Sequence, residues 1–486
     1  MTIRPDPRAL VAALLGLALG ACGGSLYDAA GVPRLQGGSQ CRADQHLCAA
    51  TGNVCQAHDL DHCGSACAVC TTGIQGATAT CEPGGGDFQC GYRCAAGLFK
   101  CTSGCCQPTA VAAGGDQSCA VTTDGSVQCW GANLSGQLGR PGVGGPVPQQ
   151  VTGFSSGVTA LAVGRHHACA IRSGTVWCWG DDQLGQLGDG AAISSGPTPV
   201  SAGLTSLPGS ARLVAGADHT CVLSAGSVRC WGANAKGQLG TGAGTVGVNL
   251  PAPSAPAILT GVDELAARAD NTCARQGGQV QCWGANGSGQ VGSGVASAAP
   301  IPAPTPVVGL TGVTTLAVGG LHACAVVGGA AGVDGELTCW GENGKAQLGT
   351  TLGATPGTPV LAPTPARGFD SQARAVRAIA GTEFTCAARD ATGLKCFGQN
   401  DQGQAGGGLN PMVEGNDLTF GGNLLGTAPD VDPGVVAGAD HGCGLVDLTP
   451  LGPPTRVVKC WGRNVEGQLG RATTGTFDGS PGTVGQ

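Results

Sequence analysis

Residues 158–180 read Val158-Thr159-Ala160-Leu161-Ala162-Val163-Gly164-Arg165-His166-His167-Ala168-Cys169-Ala170-Ile171-Arg172-Ser173-Gly174-Thr175-Val176-Trp177-Cys178-Trp179-Gly180. Apolar runs of five or six residues, rich in Val, Ile and Ala and broken by Gly and by Ser-Gly, are the pattern of short strands joined by tight turns. A polar loop with Asp182 and Gly185-Gln186-Leu187-Gly188 follows, and Pro199-Val200 opens the next short strand. Four short strands in about fifty residues describe one blade of a β-propeller.

The unit recurs. Cys-Trp-Gly stands at Cys129, Cys178, Cys230, Cys282, Cys339 and Cys460, and Cys396-Phe397-Gly398 completes a set of seven. The steps between these cysteines are 49, 52, 52, 57, 57 and 64 residues, so a fixed unit carries loops of drifting length. The fold class read from this is all-β: a seven-bladed β-propeller over residues 109–486. The first unit lacks a preceding Pro-then-Val strand. The C-terminal Pro481-Gly482-Thr483-Val484 is therefore expected to complete the first blade and close the ring.

The cysteines have a register. A two-residue turn at Ser173-Gly174 sets Cys169 opposite Cys178, one at Ala225-Gly226 sets Cys221 opposite Cys230, and one at Gly277-Gly278 sets Cys273 opposite Cys282. Directly opposed residues of an antiparallel pair have Cα atoms about 4.5–5.5 Å apart, within disulfide reach. Three-residue turns do the same for Cys119 with Cys129 and Cys386 with Cys396, and longer hairpin loops for Cys324 with Cys339 and Cys443 with Cys460.

Composition agrees with this architecture. Of 486 residues, 90 are Gly, 29 Pro and 27 Cys, and only 11% are charged, which excludes a helical cytosolic enzyme. A net charge of −7 with scattered basic residues disfavours nucleic acid as a partner, because phosphate neutralisation needs a concentrated basic stripe.

The N-terminus carries Arg4 and Arg8, an apolar run from Ala9 to Ala21, and Leu19-Gly20-Ala21-Cys22. A basic start, a short apolar stretch and small residues before the cut describe an export signal over 1–21. The last four residues resemble the lipobox of bacterial lipoproteins. That resemblance implies acylation of Cys22, with the chain held at the outer membrane or cell surface. A linker (22–40) and a cysteine-rich module (41–108) follow. Twelve cysteines between Cys41 and Cys106, with few large apolar residues, read as a disulfide-stapled module. Zinc is the alternative, from the CxxC of Cys67 and Cys70 near His46, His58 and His62, but export favours oxidised pairs. No metal or other cofactor is assigned.

Trp-Gly-x-Asn, then Gly-Gln-Leu-Gly, preceded by Gly-x-x-His and a short apolar strand, resembles the regulator of chromosome condensation repeat. The resemblance covers 110–486. It implies a seven-bladed propeller. Nuclear members serve guanine-nucleotide exchange, whereas secreted bacterial members grip other proteins with a propeller face.

Candidate residues come from the repeat register. His167, His219, His322 and His441 recur two residues before the hairpin cysteine, where Phe384 stands in another unit, so packing is the expected role. One position earlier, Asp116, Asp218, Asp270, Glu383 and Asp440 are expected at equivalent points around one end, as turn caps or as a cation or basic-partner site. Trp177 replaces Gln, Arg, Thr or Lys of the other units and is a candidate exposed anchor. No nucleophile elbow, P-loop or dinucleotide fingerprint appears. The leading reading is an extracytoplasmic binding module for a protein or glycan of the envelope. A lyase or hydrolase at the propeller mouth, a structural envelope spacer and guanine-nucleotide exchange are the other readings.

Overall fold

The computed structural model describes the strands at 26–27, 33–34, 45–48, 54–57, 77–84 and 87–94, and residues 95–485 apart from 103, 192–194, 256–258, 329–334, 351–357, 368, 370–374, 376, 389–392, 408–411, 426–433, 450–453 and 472–476. The expected signal, Cys22, Cys67, Cys70, His58 and His62 lie outside the described residues. The chain divides into two compact units, Met1–Ala95 and Ala96–Gln486. Among its described residues the first contains three two-stranded pairs, in one of which Cys81 stands opposite Cys90.

The second unit is a seven-bladed propeller. Each of the first six blades is one contiguous four-stranded antiparallel sheet, as in Val158–Val163, His167–Arg172, Thr175–Gly180 and Gly196–Ser201. In the seventh, Val435–Ala437 and Asn423–Leu424 both pair with His441–Asp447. Among the described residues one 3-10 turn, Ala243–Thr245, is the helical content, and no helix is long and apolar enough to cross a membrane.

The second and third strands of each blade carry the opposed cysteines, for example Cys169↔Cys178 and Cys443↔Cys460. All seven pairs are disulfide-bonded, with Cα–Cα distances of 4.0–4.1 Å. The two-residue turns have positive φ at both positions, 51° and 73° at Ser173-Gly174 and 48° and 75° at Ala225-Gly226. That is the type I′ geometry whose twist matches the flanking strands.

Two expectations about the ends are corrected. Phe477–Thr483 pairs with Arg456–Arg463 inside the seventh blade and does not complete the first, whose outer strand is Gly145–Gln150. The reason is the phase of the repeat. The Pro-Val strand pairs with the third strand of its own unit, Val200 opposite Cys178, so no blade waits for a strand from elsewhere. The ring is fastened instead across the seam between blades seven and one, by Trp130 Nε1 donating to the Gln468 carbonyl (2.9 Å) and Ala439 N to the Gly114 carbonyl (2.7 Å).

The second correction moves the unit boundary from 108 to between Ala95 and Ala96. The hairpin of Phe99–Cys101 and Gly104–Cys106, bridged by Cys101–Cys106, belongs to the propeller because Phe99 is 1% exposed and stacks on Trp130 with ring centroids 5.9 Å apart. Phe154 covers Trp179 with a tilted ring, and Phe420 meets Trp461 edge-on. The aromatic ring that covers Trp130 thus comes from the segment before the first blade.

Candidate functional site

Neighbouring blades are joined by one repeated latch. The carbonyl of the Gln in each Gly-Gln-Leu-Gly loop accepts the indole N–H of the next blade's tryptophan, Gln137 from Trp179 (3.0 Å), Gln186 from Trp231 (2.9 Å), Gln238 from Trp283 (2.9 Å), Gln290 from Trp340 (3.0 Å) and Gln404 from Trp461 (3.0 Å). These tryptophans are fully buried, and Phe397 fills the position in the sixth blade without a donor. Trp231→Phe is therefore expected to cost about 1–2 kcal/mol and Trp231→Ala about 3–5 kcal/mol, read by urea unfolding. Equal losses for the two would contradict the latch.

The histidines extend the latch. His219 Nε2 lies 2.9 Å from Thr272 Oγ1, which itself donates to the Gln238 carbonyl at 3.0 Å. Since the threonine has one proton and gives it to the carbonyl, His219 donates from Nε2. His167 meets Thr220, His322 meets Thr385 and His441 meets Ser118, each at 2.8 Å. Burial away from water pushes His167 down to about 4 and His219, His322 and His441 down to about 3. The glycine three residues earlier is required by the ring: a Cβ on Gly216 would lie 2.1 Å from His219 Cε1. These histidines hold blades together, as expected from Phe384 in their place.

At the same end, residues 115, 165, 217, 269, 320, 382 and 439 ring the mouth of the central channel. Their backbones bond in sequence, Gly115 N to Gly164 O (3.1 Å), Arg165 N to Ala217 O (2.9 Å), Ala217 N to Ala269 O (2.9 Å), Thr382 N to Ala439 O (3.0 Å). The next position of each blade holds the five carboxylates or, in two blades, His166 and Leu321. All seven are equivalent, since each carbonyl accepts the N–H that follows the Trp-Gly or Phe-Gly bulge, as in Ala233 N to Asp218 O (2.8 Å) and Gln399 N to Glu383 O (2.9 Å).

Three of the carboxylates are held by the preceding blade. Asp116 pairs with Arg463 and accepts from Gln468 Nε2 (3.2 Å), Asp218 pairs with Arg165, and Asp270 accepts from Gln238 Nε2 (3.0 Å). Burial raises Asp218, Asp270 and Asp440, opposed chiefly by Arg165, Lys236 and Arg463 respectively. Gln290 Nε2, before the blade that carries Leu321, has no partner, and neither has Gln347 Nε2 before Glu383, although the Oε1 atoms of both accept from the loop backbone at Ser288 and Lys345. Among the described residues, the one trio of ligand-type side chains converging within 4.8 Å is Cys101, Cys106 and Asp124, and its two cysteines are bonded to each other. The five carboxylates are spread around the ring, and three of them, Asp116, Asp218 and Asp270, clasp the preceding blade.

Trp177 is not the exposed anchor its sequence position suggested. It is half-buried, opposite Ser201, and packs against the core between the first and second blades. Alternation along its strand turns it to the face of the sheet that meets the neighbouring blade.

What the mouth end exposes lies in its loops. The connections between third and fourth strands all emerge there, since Gly131 opposes both Gln117 and Gly145. Of nine exposed large apolar residues among those described, six belong to this end: Leu134 (94%), Val143, Val248, Val295, Leu321 and Val465. None was singled out by sequence, because one Leu or Val in a polar loop carries no pattern. Sequence reading also passed over Arg268, although a repeat alignment marks it: Gly114, Gly164, Gly216, Gly319, Gly381 and Gly438 stand at its position in the other blades.

Comparison with known proteins agrees with this geometry. Regulator of chromosome condensation (RCC1) repeats match at 109–137, 158–186 and 211–238, and in a second form at 124–171 and 173–223. The chain is 30% identical over 366 residues to the secretion-regulating guanine nucleotide exchange factor of Mus musculus, covering 63% of this chain and 74% of that protein. It is 32% identical over 199 residues to the ultraviolet-B receptor UVR8 of Arabidopsis thaliana, covering 40% of this chain and 42% of the receptor. Yeast RCC1 (Prp20), solved bound to Kap60, superposes with a TM-score of 0.61 at 20% identity, covering 74% of this chain and 84% of that one. Human WBSCR16 superposes with a TM-score of 0.59 at 21% identity, covering 74% and 94%. Seven blades, six of them carrying the same tryptophan latch, together with these matches, place the chain in the regulator of chromosome condensation (RCC1) repeat family.

Proposed function

We propose that this protein is an extracytoplasmic, lipid-anchored binding module that docks a protein or glycan partner on the loop-bearing end of its propeller. The observation that carries the reading is the gathering of six of nine exposed large apolar side chains at that end, beside carboxylates already committed to inter-blade contacts. Exposed apolar groups rimmed by polar ones mark interaction sites, and Leu and Val side chains suit a protein interface. The anchoring rests on the signal pattern ending at Cys22 and on the cysteine-rich segment that follows. Seven buried hairpin disulfides fit an oxidising compartment. Guanine-nucleotide exchange, the activity in the mouse relative's name, is the competing reading.

Photocrosslinking residues placed at 134, 321 and 465 in cells are expected to trap the same partner, while residues at 308 and 448, at the opposite end, trap none. Leu134→Asp with Val465→Asp should abolish the adduct. Identical adducts from both ends would sink the docking reading. Mass spectrometry of the mature protein should find an acylated Cys22, and Cys22→Ala should move the protein from the membrane to the soluble fraction.

A further inference from the structure

The fourth blade departs from the other six at two coupled positions. Arg268 stands where they have glycine, and Asn271 stands where they have His, Phe or Gln. The coupling is steric: a Cβ on Gly216 or Gly438 would lie 2.1 Å from the following histidine ring, whereas the smaller Asn271 leaves room for one. The space so made admits a guanidinium into the central channel.

Arg268 crosses that channel. Its Nη1 donates to the carbonyl of Ala437, on the inner strand of the seventh blade, at 2.7 Å. Its side chain belongs to the walls of two cavities. One, of about 220 Å³, opens at the mouth and is otherwise lined by Gly, Ala, Val and Thr apart from Arg165 at its rim. The other, of about 210 Å³, lies among the inner strands. Arg268 is half-buried, so part of its surface remains reachable from the channel. Among the described residues no carboxylate stands within ion-pair distance of it, and Ala437 O accepts its one hydrogen bond. Burial draws its affinity for a proton down to about 10, which leaves it charged at neutral pH. Asp440 is near enough to favour that charge but makes no ion pair with it, and a half-buried charge without a direct partner favours acquiring one.

From these observations we infer that the mouth cavity is a binding site for a small monocarboxylate with a short aliphatic body, its carboxylate on Arg268 and its carbon chain against the Gly and Ala walls. The planar guanidinium fork matches a carboxylate in two parallel hydrogen bonds. Phosphate fits less well. The backbone amides around the mouth are spent on one another, Gly115 on Gly164, Arg165 on Ala217 and Ala439 on Gly114, so they form no cradle for a tetrahedral dianion. The site is separate from the docking residues, since Leu134 and Val465 do not line it, and Leu134→Asp should leave butyrate binding unchanged.

Calorimetric titration of the full chain with sodium propionate, butyrate, isovalerate and inorganic phosphate tests the site. Saturable one-to-one binding of butyrate or isovalerate is expected. The double variant Arg268→Gly with Asn271→His, which gives the fourth blade the pair used by its neighbours, should weaken it about tenfold or more. Arg268→Gln, which keeps a donor for Ala437 but removes the charge, should do the same and serves if the double variant does not fold. Absence of saturable carboxylate binding to the unmodified chain, equal affinity in the variants, or phosphate binding as tightly as butyrate would each overturn the assignment.

Discussion

Stability of the propeller is expected to collapse between about pH 6 and pH 4, through the four inter-blade histidines. Each is fully buried and neutral, pushed down to about 3 or 4, against 6.5 when exposed in the unfolded chain. Below 6.5 the unfolded chain takes up protons that the folded chain refuses, so folding loses roughly 1.4 kcal/mol per pH unit for each histidine. Four together give a slope of about 5 kcal/mol per unit, which over two units rivals the whole stability of a typical domain. Asp218, Asp270, Glu264 and Asp440 act in the other sense, because burial raises them. Their contribution is present at low pH and lost as pH rises through their folded values, so it opposes the histidines only toward the acid end. Urea unfolding at pH 7, 6 and 5 measures the slope. His219→Phe, the residue class used by the sixth blade, should cut it by about a quarter. Stability flat from pH 7 to 4.5 would show that the histidines are not buried neutral.

The second large effect is expected at the glycine after each tryptophan. Gly284 has φ +115°, and a Cβ added to it would sit 2.1 Å from the Asp270 carbonyl oxygen. The strand is bulged there, and that carbonyl accepts the N–H of Ala285 (3.1 Å), so neither side can withdraw. Gly284→Ala is expected to cost about 3 kcal/mol or more and to separate the mouth ring from the strand behind it. Gly203 is the control. It too has positive φ, +73°, but nothing lies within 4 Å of the added Cβ, so Gly203→Ala should cost about 1 kcal/mol. Thermal melts of the two variants distinguish the steric clash from the conformational preference alone. Equal shifts would mean that the close approach at Gly284 is unimportant.

Much of the candidate site was legible because it repeats. The carboxylate positions and the packing histidines were found by aligning the units. Their equivalence around one end follows from the shared backbone bond, seen in Asp218 and Glu383 alike. Their role was not legible, because it depends on what the preceding blade presents: Arg165 to Asp218, Gln238 to Asp270, Arg463 to Asp116. Trp177 misled for the same reason. Its neighbours along the chain gave no sign that the adjoining blade covers it.

The sequence by itself determined the blade: strand lengths, the type I′ turns and the cysteine pairing are set within stretches of ten to twenty residues, where side-chain alternation and turn length leave one register. Only the tertiary structure decided which strand finishes which blade, which segment covers Trp130, and what Arg268 does. Those depend on contacts across the ring, such as the 169-residue separation between Arg268 and Ala437, and no local pattern encodes a partner that distant.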